Sequence, residues 1–292
     1  MTELDAATGA LVQVLNRPRH TFDGFDAVAA DGTHVWVANG AGGSVTELDA
    51  ATGTLVRALH WSRYGFDSPT AVAADRSRVW VANLGGSVTE LDAGTGALVQ
   101  VLNQPRYKFS SPDAVAVDGS RVWVANLGGS VTELDAGTGA LVQVLNQPRY
   151  KFSSPDAVAV DGSHVWVANN NYAGSVTELD ADTGALVKVL NGSSYGFDSP
   201  AAVAVDGTHV WVANDYGCSV TELDAATGAL TQVLHQPRYK FSRPSAVAAD
   251  GTHVWVANNS GDSVTEFPAS PSKAGGRPGR ALTQAGRGAA MN

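Results

Sequence analysis

The residues of this chain with the greatest capacity for binding chemistry are cations that flank aromatic side chains. A representative stretch is Arg106-Tyr107-Lys108, which is followed directly by Phe109. Guanidinium and ammonium groups make charge-assisted hydrogen bonds with anions, and aromatic rings provide flat surfaces for stacking. The combination predicts a binding surface for an anionic, carbohydrate-like or peptide ligand.

The predicted ligand-binding residues lie in loops that follow short apolar stretches. Most of them repeat the Arg-Tyr-Lys pattern, whereas Trp61, Tyr172 and Tyr216 interrupt it and are the predicted specificity residues. The complete predicted set is Arg19, Trp61, Arg63, Tyr64, Arg106, Tyr107, Lys108, Arg149, Tyr150, Lys151, Tyr172, Tyr216, Arg238, Tyr239 and Lys240.

A repeat of 43 to 45 residues organises the chain. The string Trp-Val-Ala-Asn recurs with its tryptophan at positions 36, 80, 123, 166, 211 and 255. Residues 78–120 and 121–163 are identical at all 43 positions. A period of this length that contains several short strands is typical of β-propellers, in which each repeat forms one blade.

Each repeat contains four strand signals separated by turn residues. In the repeat that begins at Asp113 the predicted strands are 114–117, 122–125, 131–134 and 141–145, and an Asp-Gly turn joins the first two. The sequence therefore predicts an all-β, six-bladed propeller of four-stranded antiparallel blades over residues 1–267. The N-terminal strand Leu11–Leu15 is predicted to complete the last blade and close the ring, which leaves Thr2–Asp5 displaced. Residues 268–292, rich in Ala, Gly and Pro and without an acidic residue, are predicted to be a disordered basic tail.

The blade motifs resemble a known family of propeller repeats. The pattern Ala-Val-Ala-Val-Asp-Gly, Val-Trp-Val-Ala-Asn and Ser-Val-Thr-Glu-Leu-Asp-Ala-x-Thr-Gly is similar to the NHL and YVTN (YncE-like) repeats over residues 1–267. The resemblance implies a bacterial binding platform or scaffold, and a catalytic function is not expected. The alternative is an enzyme that resembles the streptogramin-type lyases, or a hydrolase, with His20, His60 and His235 at the channel mouth.

Charge separates the two faces of the predicted propeller. Antiparallel order places the second-to-third loops and the connections between repeats on one face, the connector face, and all other turns on the opposite face. The net charge is +2 on the connector face and −10 on the opposite face, within a total of −9. A negative total disfavours nucleic-acid binding. The expected partner is an anionic, glycan or protein ligand.

Neither a cofactor nor a metal is predicted. The Asp-Ala-x-Thr-Gly turns lack the tryptophan that quinoprotein repeats carry after the glycine, and the Asp-Gly turns are explained by turn chemistry. No apolar run is long enough for a membrane span, and a monomer is expected. The N-terminus shows no signal peptide, and Met1 aligns with Val45 and Val131 of other repeats. An upstream extension, and with it an extracytoplasmic location, therefore stays open.

Overall fold

A computed structural model describes residues 1–15, 22–171, 173–269 and 280–283 of the 292-residue chain. The fold is an all-β, six-bladed propeller of four-stranded antiparallel blades, which confirms the predicted fold class. Within each blade, strands that follow one another along the chain are neighbours in the sheet. Such a meander is the simplest antiparallel order, because each connection is a short turn.

The strand bounds follow the repeat closely. The N-terminal hairpin consists of β1 (Thr2–Leu4) and β2 (Leu11–Val14). The first three blades are β3 (Phe25–Ala30), β4 (His34–Asn39), β5 (Ser44–Asp49) and β6 (Leu55–His60); β7 (Pro69–Ala74), β8 (Arg78–Asn83), β9 (Ser87–Asp92) and β10 (Leu98–Leu102); and β11 (Pro112–Val117), β12 (Arg121–Asn126), β13 (Ser130–Asp135) and β14 (Leu141–Leu145).

The other three blades repeat the pattern. They are β15 (Pro155–Val160), β16 (His164–Asn169), β17 (Ser175–Asp180) and β18 (Leu186–Leu190); β19 (Pro200–Val205), β20 (His209–Asn214), β21 (Ser219–Asp224) and β22 (Leu230–Leu234); and β23 (Pro244–Ala249), β24 (His253–Asn258), β25 (Ser263–Pro268) and β26 (Arg280–Thr283).

Short helical turns lie between the blades, where the sequence predicted plain loops. They are α1 (Trp61–Tyr64) and the 3-10 turns Pro105–Tyr107, Pro148–Tyr150, Ser193–Tyr195 and Pro237–Tyr239. Across the described residues, no helix has the length and apolar character that a membrane crossing requires.

The chain divides into two compact units, one with the N-terminal hairpin and blades 4 to 6 and the other with blades 1 to 3. In the second unit the first strands of successive blades, β3, β7 and β11, lie side by side, and in the first unit β19 lies beside β23. The Ala- and Val-rich first strand is therefore the inner strand of a blade, since small side chains permit this close approach. The fourth strand is the outer one.

The second strand of each blade buries a different set of side chains on each of its two faces. Because side chains alternate along a strand, Trp36 and Ala38 point to one face and Val35 and Val37 to the other. The Trp36 face packs against Val79 and Val81 of blade 2, and the tryptophans of blades 1 to 5 are fully buried. The same contact recurs from Trp80 to blade 3 and from Trp211 to blade 6.

A polar contact joins neighbouring blades beside this apolar one. In blade 2, Gln100 Nε2 donates hydrogen bonds to Glu90 Oε2 at 2.6 Å and to the carbonyl oxygen of Thr138, in the last turn of blade 3, at 2.9 Å. Gly139 follows with a φ of +68°, and a Cβ there would lie 2.3 Å from Gln100 Nε2. Glycine at this turn therefore permits the close approach of the two blades.

Strand pairing at the two ends of the chain differs from the sequence prediction. Leu11–Val14 pairs with Thr2–Leu4, and the outer strand of blade 6 is Arg280–Thr283, paired with β25. The prediction that Leu11–Leu15 completes the last blade is therefore wrong. A hairpin closes a short loop and so costs less entropy than pairing with a distant strand. Backbone hydrogen bonds also need no apolar side chain, so a strand can form within the predicted tail. The domain boundary between the propeller and the tail, after Phe267, stays a prediction.

We predict that Gly139→Ala destabilises the protein more than Gly119→Ala. Both glycines have positive φ, so an alanine costs about 1 kcal/mol at either position. Only at Gly139 would the new Cβ also displace the hydrogen-bonded Gln100 amide, because nothing lies within 4 Å of a Cβ at Gly119. The further loss should be about 1–2 kcal/mol in the free energy of urea unfolding. Equal losses at the two positions would contradict the interblade role of Gln100.

Candidate functional site

The candidate site is a motif on the connector face, Gln-Pro-Arg-Tyr-Lys-Phe-Ser, which occurs at residues 104–110, 147–153 and 236–242. The proline begins a 3-10 turn, where its fixed φ fits and its missing N–H is not needed. The turn ends at a lysine in the left-handed region, with Lys108 at a φ of 56° and its N–H bonded to the Pro105 carbonyl. The two other copies have the same turn and cap.

The tyrosine of the motif is a packing residue. Tyr107 is 2 % exposed and stacks on Phe109, with ring centroids 5.3 Å apart and planes 4° apart. Its hydroxyl lies 3.4 Å from the Gly139 carbonyl oxygen, to which it donates. Tyr150 and Tyr239 are buried and stacked in the same way.

The prediction that Tyr107, Tyr150 and Tyr239 present stacking surfaces to a ligand is therefore wrong for these rings. The Tyr107 ring packs with residues of blades 2 and 3, and the Tyr239 ring with residues of blades 5 and 6. Tyr64, stacked on Phe66 at 5.5 Å, is half-buried.

The arginine of the motif lies over the buried tyrosine. The Arg106 guanidinium carbon is 5.0 Å from the centre of the Tyr107 ring, and Nη2 donates to the hydroxyl oxygen at 3.1 Å. The contact combines cation–π attraction with a hydrogen bond, which limits the rotamers open to the arginine. The same arrangement recurs at Arg149 and Arg238, with distances to the ring centre of 5.0 and 4.8 Å.

The cations of the motif remain available to a ligand. Arg106, Lys108 and their four counterparts are exposed. Among the described residues, the ion pairs that arginine and lysine form with carboxylates involve Arg57, Arg78, Arg121, Lys188 and Arg243, so none of the six motif cations takes part. Within the described residues, the three arginines are therefore held on tyrosine rings, and none of the six motif cations is paired with a carboxylate of the protein.

A second arrangement on the connector face has no counterpart among the described residues of the other blades. Tyr216 is 59 % exposed, and the Arg243 guanidinium carbon lies 5.1 Å from its ring centre. Arg243 also holds Asp215 through two hydrogen bonds of 2.9 and 2.8 Å, and this carboxylate raises the pKa of Arg243. The sequence predicted Tyr216 but missed Arg243. The available signal was an arginine at a position where four other connectors place a serine with positive φ.

Several predicted residues are not gathered into either arrangement. Arg19 and Tyr172 lie outside the described residues, and so does the side chain of Trp61, which begins α1. Arg63 is exposed beside Tyr64, 5.9 Å from its ring centre.

Two of the three histidines of the lyase alternative lie away from the inner strands of their blades. His60 ends β6, and His235 follows β22, so both belong to the outer edges of their blades. His20 lies outside the described residues.

The sequence also missed a buried carboxylate in the third strand of the blades. Glu133 is fully buried, and it accepts hydrogen bonds from Arg121 Nε at 2.8 Å and Gln143 Nε2 at 2.6 Å. Burial raises the pKa of Glu133, and these two partners offset part of the rise. Glu222 in blade 5 has Gln232 and His209 as partners, and burial again raises its pKa. The partners of Glu133 and Glu222 belong to the second and fourth strands of their own blades, so these buried carboxylates link strands and do not face a ligand.

The carboxylates of the opposite face bind their own turns. Burial alone would raise the pKa of Asp31, but hydrogen bonds from Thr33, Trp36 and His34 lower it to about 2. Hydrogen bonds from His253 and Thr252 likewise lower the pKa of Asp250 to about 2. In the part of the chain that is described, no three acidic, histidine or cysteine side chains are grouped to hold a metal ion.

Comparisons with known proteins agree with this fold. The family model described as outer membrane protein assembly factor BamB matches residues 2–151. No curated protein matches the chain.

Many solved structures resemble it. BamB from Moraxella catarrhalis is 20 % identical, covering 95 % of this chain and 77 % of its own, with a TM-score of 0.58. A streptogramin B lyase is 16 % identical, and the match covers 93 % of this chain and 86 % of the lyase, with a TM-score of 0.73. The protein U3-55K is 12 % identical, and the match covers 86 % of this chain and 79 % of U3-55K, with a TM-score of 0.72. At these identities the likeness shows the fold alone.

Replacing Tyr107 by alanine should destabilise the protein, because the ring fills the gap between two blades. We expect a loss of about 3 kcal/mol in the free energy of urea unfolding. The exposed Tyr216 is the matched control, and Tyr216→Ala should change that free energy by about 0.5 kcal/mol or less. A small effect at Tyr107 would restore it as a ligand-facing residue.

The buried glutamates Glu133 and Glu222 should both make the protein less stable as pH rises, because burial raises the pKa of each. A carboxyl group with a raised pKa in the folded state adds stability below its unfolded pKa, near 4.5, and that stability is lost as pH rises through the folded pKa. Glu222→Gln removes this loss, so the variant should gain stability relative to the wild type as pH rises from 4.5.

Glu133→Gln should also gain stability relative to the wild type as pH rises from 4.5, because burial raises the pKa of Glu133 despite the Arg121 guanidinium beside it. Urea midpoints measured from pH 4.5 to 8 test both expectations. Parallel pH curves for the wild type and Glu222→Gln would show that burial of Glu222 costs nothing.

Proposed function

This chain belongs to the family described as outer membrane protein assembly factor BamB, and we propose that it is a non-catalytic, protein-binding scaffold. Its ligand in this proposal is an anionic segment of a partner protein, held by the connector cations Arg106, Lys108, Arg149, Lys151, Arg238 and Lys240. The finer resemblance to NHL and YVTN repeats remains a prediction.

The observation that carries the proposal is the repeated arginine held on a buried tyrosine. Arg106 and its two counterparts each keep one ring contact and one hydrogen bond to the phenol. A side chain that is already ordered loses less conformational entropy when it binds. Exposed cations that lack a counter-ion among the described residues also attract carboxylates from a distance and orient the encounter.

A protein segment is favoured over a carbohydrate. Sugars bind on exposed aromatic faces, but the motif tyrosines are covered by phenylalanine and arginine. Tyr216 keeps an exposed ring, and it is proposed as a contact beside the cations for an aromatic or proline side chain of the partner. The family description, an assembly factor, also supports a protein partner.

The lyase alternative receives no such support from the described residues. His60 and His235 belong to outer blade edges. The likeness to streptogramin B lyase, at 16 % identity, carries the fold and no residue role.

We predict that a variant with all six connector cations replaced by glutamine loses binding of a fluorescent hexaglutamate peptide. At low ionic strength the dissociation constant should rise by about tenfold or more, since the charge-assisted contacts are removed. Arg76→Gln is the control, because Arg76 is exposed on the opposite face. Fluorescence anisotropy measures binding, and hexaglutamine and polygalacturonate test whether a neutral peptide or an anionic glycan competes.

Binding that is unchanged in the sixfold variant would overturn the proposal. Equal competition by polygalacturonate would instead assign the surface to anionic glycans.

A further inference from the structure

We infer that the connectors 104–110 and 147–153 form a pair of equivalent sites for one partner that carries two acidic stretches. This inference rests on the function proposed above and specifies the partner's architecture.

The two connectors are the same in sequence and in geometry. They belong to the identical residues 78–120 and 121–163. Arg106 and Arg149 each lie 5.0 Å from a tyrosine ring centre and 3.1 and 3.2 Å from its hydroxyl oxygen. Lys108 and Lys151 have φ values of 56° and 55°. Equal side chains in equal conformations give two sites with the same intrinsic preference.

The order of connectors along the chain makes this pair distinct. The two copies occupy consecutive connectors, whereas the connector after them, with its turn at Ser193–Tyr195, has Gly196 in the lysine position and no cation. The third copy, 236–242, follows this uncharged connector and belongs to the other compact unit. It therefore provides an internal reference with the same seven-residue motif, preceded along the chain by a connector without a cation.

Two linked contacts suit this surface better than one strong contact. Each connector offers one arginine and one lysine in water, where a single ion pair contributes only a few tenths of a kcal/mol to about 1 kcal/mol. A partner that engages both connectors makes the second contact intramolecular, at an effective concentration near the millimolar range. Doubling of the motif thus converts weak charge recognition into selectivity for a doubly acidic chain.

The test compares fluorescent hexaglutamate with a tandem peptide of two hexaglutamate blocks joined by a Gly-Ser linker. Flexible linkers span roughly 5–6 Å times the square root of their length, so a series of about 8, 16 and 32 residues scans the possible spacings. With the full chain at low salt, the tandem should bind at least about tenfold more tightly than the single block at one linker length.

Three variants locate the effect. Arg106→Gln/Lys108→Gln and Arg149→Gln/Lys151→Gln should each remove the gain of the tandem over the single block. Arg238→Gln/Lys240→Gln makes the same charge change at the third copy and should preserve the gain.

A measurement on the unaltered protein keeps the test valid if a variant fails to fold. The affinity of the tandem should fall with added salt about twice as steeply as that of the single block.

The outcomes separate this inference from the function on which it rests. If hexaglutamate binds through the six cations but the tandem shows no gain at any linker length, the paired site is overturned and the proposed function stands. A gain that survives both double variants, or is lost in Arg238→Gln/Lys240→Gln, also overturns the paired site. If hexaglutamate does not bind at all, the proposed function fails and the inference falls with it.

Discussion

The structure depends on the contact between the tryptophan face of one blade and the valine face of the next. Alternation along the second strand gives each blade one bulky and one branched apolar face, so neighbouring sheets interlock within each unit. The cross-strand register pairs Trp36 with Glu47, which brings the buried glutamate onto the same face. A carboxylate in that position needs donors from its own sheet and tolerates only a glycine-containing turn from the next blade. The interblade polar contact is therefore a consequence of the apolar one.

The connectors take their shape from the same gap between blades. Thr132 Oγ1 donates a hydrogen bond to the Tyr107 carbonyl oxygen at 2.9 Å, which ties the connector to the third strand of the following blade. Tyr107 and Phe109 then fill the outer part of the gap, and Arg106 remains above the ring at the surface. The exposed cations are thus held by side chains whose main role is packing. The proposed ligand surface and the blade interface therefore share residues, because Arg106 lies on the buried Tyr107.

Sequence patterns were sufficient for the fold because each blade is specified locally. The 43-residue period, the alternation of Val-Trp-Val-Ala and the turn residues together predicted all strands of the blade that begins at Pro112. The pairing of Leu11–Leu15 was predicted wrongly, since pairing there depends on competition between near and distant strands. Composition alone did not indicate that Arg280–Thr283 adopts a strand.

Burial explains what the sequence could not predict about the site. The cations of the motif were predicted as ligand residues, and the structure leaves them exposed. Tyrosine flanked by charges reads as a surface residue, yet Tyr107 is buried because its charged neighbours point outward from a tight turn. A glutamate in a strand is likewise expected to face solvent, and the register that pairs Glu133 with the buried Trp123 shows otherwise. Arg243 was missed because its role arises from a contact with a loop 28 residues earlier.

The lysine that ends each cationic turn provides a positive charge at a left-handed backbone position, where glycine would be more stable. The corresponding positions of two other connectors hold Gly65 and Gly196, with φ values of 67° and 64°. Glycine adopts this conformation at no steric cost, whereas a lysine with a Cβ is disfavoured there by about 1 kcal/mol. Each cationic connector thus lowers the stability of the fold locally, and replacing its lysine by glycine would remove this cost. In a screen for thermal stability alone, these lysines would be among the first residues to be lost, and the positive charge of the connector face would decline with them.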